Sequence, residues 1–216
     1  LAVLTFVSCG KSDKELQAER QAQKLAEREA YQKAYKIAVM PTMDCLPAYL
    51  LKDSLLYDTA KVDIRLCWFN AQIDCDTAMI GGSVQAAFSD LVRTERLKHR
   101  NKVLMHYLTD TNLNWQLIAD KDSKLKQLSD LSDKIVAMTR FSGTDYLLTT
   151  LVDSSKLKNE VFHIQINDIN IRLKMLLNNE IDAAFFPEPQ ATMARKNNHY
   201  MLLDTRDKQV ELGVIA

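Results

Sequence analysis

Residues 139–145 read T-R-F-S-G-T-D. One arginine, three hydroxyl side chains and a glycine lie between an apolar run, I-V-A-M at 135–138, and a helical segment expected to start at about Thr144 or Asp145. In the first turn of a helix the backbone N–H groups lack partners and the dipole is positive, so small anions are attracted. Gly143 would let a ligand approach the backbone, while Ser142 and Thr144 would add hydroxyl donors. The Arg140 guanidinium can fork two hydrogen bonds to a carboxylate, sulfonate or phosphate. The same residues admit a local reading, in which Ser142 or Thr144 caps the helix and Arg140 pairs with Asp145 or Asp168. The two readings are compatible.

Such a loop needs a sheet behind it, and the chain supplies that sheet twice. K-I-A-V-M at 36–40 returns as K-I-V-A-M at 134–138, each followed by a polar break and a helical segment. The alternating V-D-I-R-L-C-W at 62–68 is echoed by V-F-H-I-Q-I at 161–166. G-S-V-Q-A-A-F-S-D at 82–90 is echoed by N-E-I-D-A-A-F-F-P at 179–187, with Ala86 and Ala183 standing 97 positions apart. Three landmarks in register predict two β-α-β-α-β units, an α/β chain of two lobes with parallel or mixed sheets and helices around them. Strands at 103–108 and 115–119 are expected to carry the chain between lobes. A short helix over 125–131 would open the second lobe, and an apolar strand over 210–216 would return towards the first. The boundaries are lobe 1 at 36–114, lobe 2 at 115–208 and the return strand at 209–216.

In open α/β sheets ligands bind beyond the carboxyl ends of the strands. Those ends are Thr42, Asp44, 70–74, Ser89 and Asp90 in the first lobe, and Thr139 to Thr144, Asp168 and Glu188 in the second. Asp44, Asp90 and Glu188 would face Arg140 across a cleft, which suits a zwitterion better than an inorganic anion. Alternatively these acids pair with Arg93, Arg172 or Arg195 and hold loops.

Lys+Arg and Asp+Glu number 28 each, so bulk charge points to neither nucleic acid nor a basic partner. Residues 1–9 are expected to be the tail of a lipoprotein signal peptide: a short apolar segment, then Ser8-Cys9-Gly10, with Cys9 as the lipidated residue. The missing initiator Met implies a trimmed start, and the C-terminus is likewise expected to be truncated. Residues 10–35 lack Gly and Pro beyond Gly10 and are rich in helix formers with few apolar positions, so a solvated helical stalk is expected. Of the other cysteines, Cys67 reads as core. Cys45 and Cys75 follow adjacent strands, which leaves a disulfide between them open. Their spacing is not that of a zinc site, and no metal or cofactor is expected.

Four stretches, K-I-A-V-M-P, G-G-S-V-Q-A-A-F-S-D, L-S-D-L-S-D-K-I-V-A-M and N-N-E-I-D-A-A-F-F-P-E-P-Q-A-T, together resemble type II periplasmic solute-binding lipoproteins of ABC importers. The nitrate, sulfonate and taurine group, with its relatives for the pyrimidine precursor of thiamine, is the nearest in pattern. The resemblance covers about residue 36 to the end. It implies a two-lobed fold that captures a small organic anion or zwitterion (sulfonate-, amino-acid- or aminopyrimidine-like) by hinge closure. Thr42, Asp44, Ser89 and Asp90 would come from one lobe and Arg140, Ser142, Gly143 and Thr144 from the other. It also implies a monomer on the periplasmic side of a bacterial envelope, lipid-anchored, with a membrane permease as partner. Two alternatives remain: an enzyme on the same fold, and a ligand-free interaction module. Against the enzyme, His99, His106, His163 and His199 fall at no strand exit, and neither H-E-x-x-H nor G-x-S-x-G occurs.

Overall fold

The apolar, β-branched runs of each repeat form the central strands of two separate five-stranded sheets. The computed structural model describes residues 12–155, 157 and 159–216. Cys9 lies outside them. Helix α1 (Asp13–Lys33) opens on a Ser12–Glu15 capping box and buries no residue, as its nearly unbroken run of polar helix formers dictates. Lys36 Nζ closes its far end on the Tyr31 and Gln32 carbonyls. No helix among the described residues is long and apolar enough to cross a membrane.

The first sheet is built by β1 (Tyr35–Val39), α2 (Leu46–Asp53), β2 (Ile64–Trp68), α3 (Gln72–Ile80) and β3 (Ala86–Asp90), with β1 parallel to both neighbours. Then α4 (Leu91–Arg96) leads to β4 (Thr109–Asp110). The second lobe holds β5 (Gln116–Ala119), β6 (Ile135–Met138), α5 (Gly143–Ser155), β7 (Phe162–Gln165), α6 (Ile169–Leu177), β8 (Ala183–Phe186), α7 (Gln190–Lys196) and β9 (Tyr200–Asp204). Finally β10 (Gly213–Ile215) returns to the first sheet, antiparallel to β3 and β4. The sheet orders are β2-β1-β3-β10-β4 and β7-β6-β8-β5-β9, so each lobe adds one antiparallel strand beside its third parallel strand. The cores follow: Val39, Ala87 and Phe88 pack in the first lobe, and Leu117, Val136 and Phe185 on one face of the second sheet with Ile118, Ala137 and Phe186 on the other.

Two expectations are corrected. Residues 103–108 form no strand, because β10 occupies the place beside β3 and Leu104 is left 98% exposed. The helix over 125–131 shrinks to a 3-10 turn at Leu128–Leu131, since the Asp130 carboxylate captures the Lys126 and Gln127 N–H groups and closes the turn early. Cys67 packs against the first-lobe core but at its edge, only partly buried, with its sulfur 3.7 Å from the Tyr31 hydroxyl. Cys45 and Cys75 are free, unpaired thiols in one core cluster, so the bridge left open is not formed here. Burial pushes the Cys45 thiol up to about 12 and raises Cys75 as well, which makes both poor nucleophiles.

Candidate functional site

The chain crosses between lobes at 111–115 and again at 205–212. The two crossings are tied at one end by Trp115 N–H to Thr205 Oγ1 (2.9 Å) and Thr205 N–H to the Trp115 carbonyl (3.0 Å). At the other, Thr111 N–H donates to the Gly213 carbonyl (2.9 Å). Around this hinge the strand ends of the two lobes touch. Met43 N–H donates to the Glu188 carbonyl (2.9 Å), and Gln190 Nε2 to the Pro41 carbonyl (3.2 Å). Arg93 Nη1 donates to the Arg140 carbonyl (3.3 Å), while the Arg96 guanidinium lies 3.5 Å over the Phe141 ring.

The loop T-R-F-S-G-T-D is largely satisfied from within. Ser142 caps α5 by accepting from Thr144 N–H (3.1 Å) and donates its hydroxyl proton to the Thr139 carbonyl (2.5 Å). Thr139 N–H donates to Thr144 Oγ1 (3.0 Å). The slot in front of Gly143 is filled by the other lobe: Gly143 N–H donates to Asp90 Oδ1 (3.0 Å), which also accepts Arg93 N–H (3.0 Å) and so caps α4. A carboxylate of the chain itself occupies the position expected for a ligand's anion. Arg140 is exposed and pairs with neither expected acid. Asp145 accepts Phe141 N–H instead, and Asp168 caps α6 through Asn170 and Ile171 N–H.

Burial pushes the Asp90 carboxyl up to about 6, against the two N–H bonds and the Arg93 charge that favour ionisation. A raised carboxylate binds its proton more tightly in the folded state. Its stabilising contribution is therefore complete below the ordinary carboxylate range near pH 4 and is lost as pH rises through about 6. Asp90→Asn keeps an oxygen for both N–H donors and removes the charge. It should melt a few degrees above the unsubstituted protein at pH 7.5, with the gap closing towards pH 4; melting curves across that range check it. A gap that widened on acidification would contradict this assignment.

The arginines take three different roles. Arg93 forms a buried ion pair with Asp76. Arg195 pairs with Glu188 (3.1 Å). Arg172 is fully buried and meets no carboxylate: it donates to the Ile166 carbonyl, the Phe185 carbonyl (2.8 Å) and Thr139 Oγ1 (2.6 Å). Desolvation pulls it down to about 10.

On the hinge side lies a cavity of about 200 Å³, lined by Met43, Asp44, Asn112, Leu113, Asn114, Pro187, Glu188 and Arg206. It draws on the end of β1, the end of β8 and both crossings, so it sits between the lobes. Asp44 is 6% exposed and its Oδ1 has no hydrogen-bond partner; burial raises its carboxyl, outweighing the pull of the Thr42 hydroxyl and of the Asp44 and Cys45 N–H groups in the opposite direction. Burial acts upward on Glu188 too, but the bonds from Thr192 and Gln116 and the Arg195 charge outweigh it and hold that carboxyl below its ordinary value. Thr42 and Ser89 are buried and turned to local partners, Thr42 donating to Cys45 Sγ (3.5 Å) and Ser89 accepting from Gln72 Nε2 (3.1 Å). Of the sequence-expected residues, Asp44 and Glu188 line this cavity, whereas Asp90 and Gly143 meet in a bond that joins the lobes, with Thr139, Ser142 and Thr144 bonded within the second lobe behind it. Asn112, Leu113, Asn114, Gln116 and Arg206 were not foreseen. The polar T-N-L-N run just before the apolar strand at 116–119 is the signal that could have marked the hinge. Among the described residues no cluster of His, Cys, Asp or Glu could hold a metal ion.

The sequence model of NMT1/THI5-like proteins matches residues 57–212. No curated protein sequence matches. Among solved structures, the zinc-bound ligand-binding component of an ABC-type import system from Staphylococcus aureus is 17% identical, with a TM-score of 0.71 over 85% of this chain and 65% of that one. The MOPS-bound alkanesulfonate-binding protein SsuA from Xanthomonas axonopodis pv. citri is 16% identical, with a TM-score of 0.69 over 85% and 64%. The periplasmic nitrate-binding protein NrtA from Synechocystis PCC 6803 is 15% identical, with a TM-score of 0.71 over 85% and 55%. The chain thus spans less than two thirds of the length of each of these structures. At such identities the likeness establishes the two-lobed fold.

Proposed function

This chain belongs to the NMT1/THI5-like family, and from that premise we propose that it is the substrate-binding component of an ABC-type importer. The observation that carries the reading is the cavity between the two lobes, bounded by strand ends and by both hinge crossings. That is where an open α/β sheet places its ligand. Asp44 and Glu188 contact the ligand, while the Asp90–Gly143 bond holds the lobes together once it is enclosed and the hydroxyl cluster of Thr139, Ser142 and Thr144 shapes the turn that makes it. The closed form docks on a membrane permease, and the ligand shifts the open–closed balance by as much as it prefers the closed state. We place the protein on the periplasmic side of a bacterial envelope, monomeric and anchored through a lipid on Cys9, with the exposed α1 as spacer.

Retention rather than turnover is favoured by the lining, which includes none of the four histidines and no serine, threonine or cysteine that could serve as a nucleophile. A thermal-shift screen of sulfonates, nitrate, amino acids, small amines and aminopyrimidines tests the reading. A ligand at a thousand times its dissociation constant adds about 4 kcal/mol, or about 8–16 °C for a chain this long. A compound that is consumed on incubation would instead mark an enzyme.

A further inference from the structure

At and just behind the lining of the cavity between the lobes are buried acceptors that no donor of the chain reaches. Asp44 lines it, 94% of its surface removed from solvent, with Oδ1 unpartnered. Behind the lining, Gln116 gives its Nε2 to Glu188 Oε1 (2.9 Å) and keeps a buried Oε1 without a partner. Gln190 gives its Nε2 to the Pro41 carbonyl and likewise keeps a buried, unpartnered Oε1. Arg206, the cation of the lining, is paired through Nε and Nη2 to both Asp204 oxygens, and Arg195 holds Glu188. Asp44 is the carboxylate of this group left without a cation. The Trp115 indole N–H is an orphaned donor in the same region, but that side chain packs against the core of the second sheet and does not line the cavity.

A buried acceptor without a donor costs free energy until something supplies the proton, and a buried carboxylate costs more. The slot that would have welcomed an anion, the N-terminus of α5, is taken by Asp90. We infer that the ligand enclosed between the lobes presents a hydrogen-bond-donating cation (a primary ammonium, an amidinium or a protonated amino-heterocycle) to Asp44, with Glu188 beside it. This deepens the importer reading and rests on it. The rise in the Asp44 carboxyl on burial is consistent, since an ion-paired ligand would restore its charge. The cavity's volume of about 200 Å³ lies below the roughly 300–1,000 Å³ of sites for drug-sized molecules, so the ligand is small.

Matched probes of opposite charge decide the class: butylammonium, benzamidinium and 4-aminopyridinium against butanesulfonate, benzoate and nitrate, each titrated by melting temperature. The cations should raise the melting temperature of the unsubstituted protein and the anions should not. Asp44→Asn removes the charge without changing the shape, so its unliganded melting temperature should be equal or higher, and its affinity for the best cation should fall at least about thirtyfold. Glu188→Gln, with its Arg195 pair broken, should weaken the same cation less. Anions that bind while cations do not would overturn the charge assignment and leave the binding-protein reading standing. A cation bound equally well by Asp44→Asn would overturn the role of Asp44. Silence from both probe sets and from the wider screen would remove the inference together with the reading beneath it.

Discussion

Arg172→Ala is expected to lower the melting temperature by about 6–20 °C, the equivalent of about 3–5 kcal/mol for a chain this long. The guanidinium enters from α6 and holds three neighbouring strands where they end: Thr139 Oγ1 after β6, the Ile166 carbonyl after β7 and the Phe185 carbonyl on β8. Removing it takes a donor from each of three buried or part-buried acceptors, each worth about 1–3 kcal/mol. Relief from burying a charge offsets part of that loss, because desolvation already pulls this arginine down to about 10. Arg172→Lys keeps the charge on a single nitrogen, cannot fork between the strands, and should recover only part of the stability. A drop under about 1 kcal/mol for alanine would mean that water or a neighbour replaces the bonds, and that the strand ends do not depend on this residue.

Gly213→Ala should cost nearly as much, about 3 kcal/mol, for the opposite reason. Gly213 begins β10 where the return crossing meets the first sheet, and a methyl group there would lie 2.2 Å from Thr111 Oγ1 and 2.5 Å from Leu113 Cβ. Neither is the free end of a long chain, so the crossing itself must move. The same glycine's carbonyl accepts Thr111 N–H, and Leu113 lines the cavity. Loss of stability should therefore be accompanied by weaker ligand binding. Gly81→Ala is the control: its added methyl would meet only the Thr77 carbonyl at 3.3 Å, and its melting temperature should change by no more than a few degrees. If Gly213→Ala matched this control, the crossing would be looser than its packing implies.

The two sheets were legible because each repeat carries its own period: I-V-A-M, the alternation at 161–166 and D-A-A-F-F needed no long-range information to read as strands. The edges were harder. Residues 103–108 are apolar enough for a strand, yet the place beside β3 is taken by β10, over a hundred positions later; a local pattern carries no sign of that competition. The helix start at Gly143 is local geometry, but which carboxylate meets its N–H depends on how the lobes meet, and Asp90 is 53 positions away. Arg172 was named only as a partner for acids. At the repeat's offset its counterpart in the first lobe is Cys75, so the repeat gave no hint of a buried cation binding neutral oxygens.

Calorimetric titration of the strongest ligand from the thermal screen into the unsubstituted protein and into Asn112→Trp bears most directly on enclosure between the lobes. Asn112 is exposed on the first crossing and lines the cavity, so the indole fills that space without entering either core. One ligand per chain, with binding abolished by the tryptophan while the melting temperature of the free variant is kept, is the predicted result. Equal affinity in both proteins would contradict the account and move the ligand out of the space between the lobes.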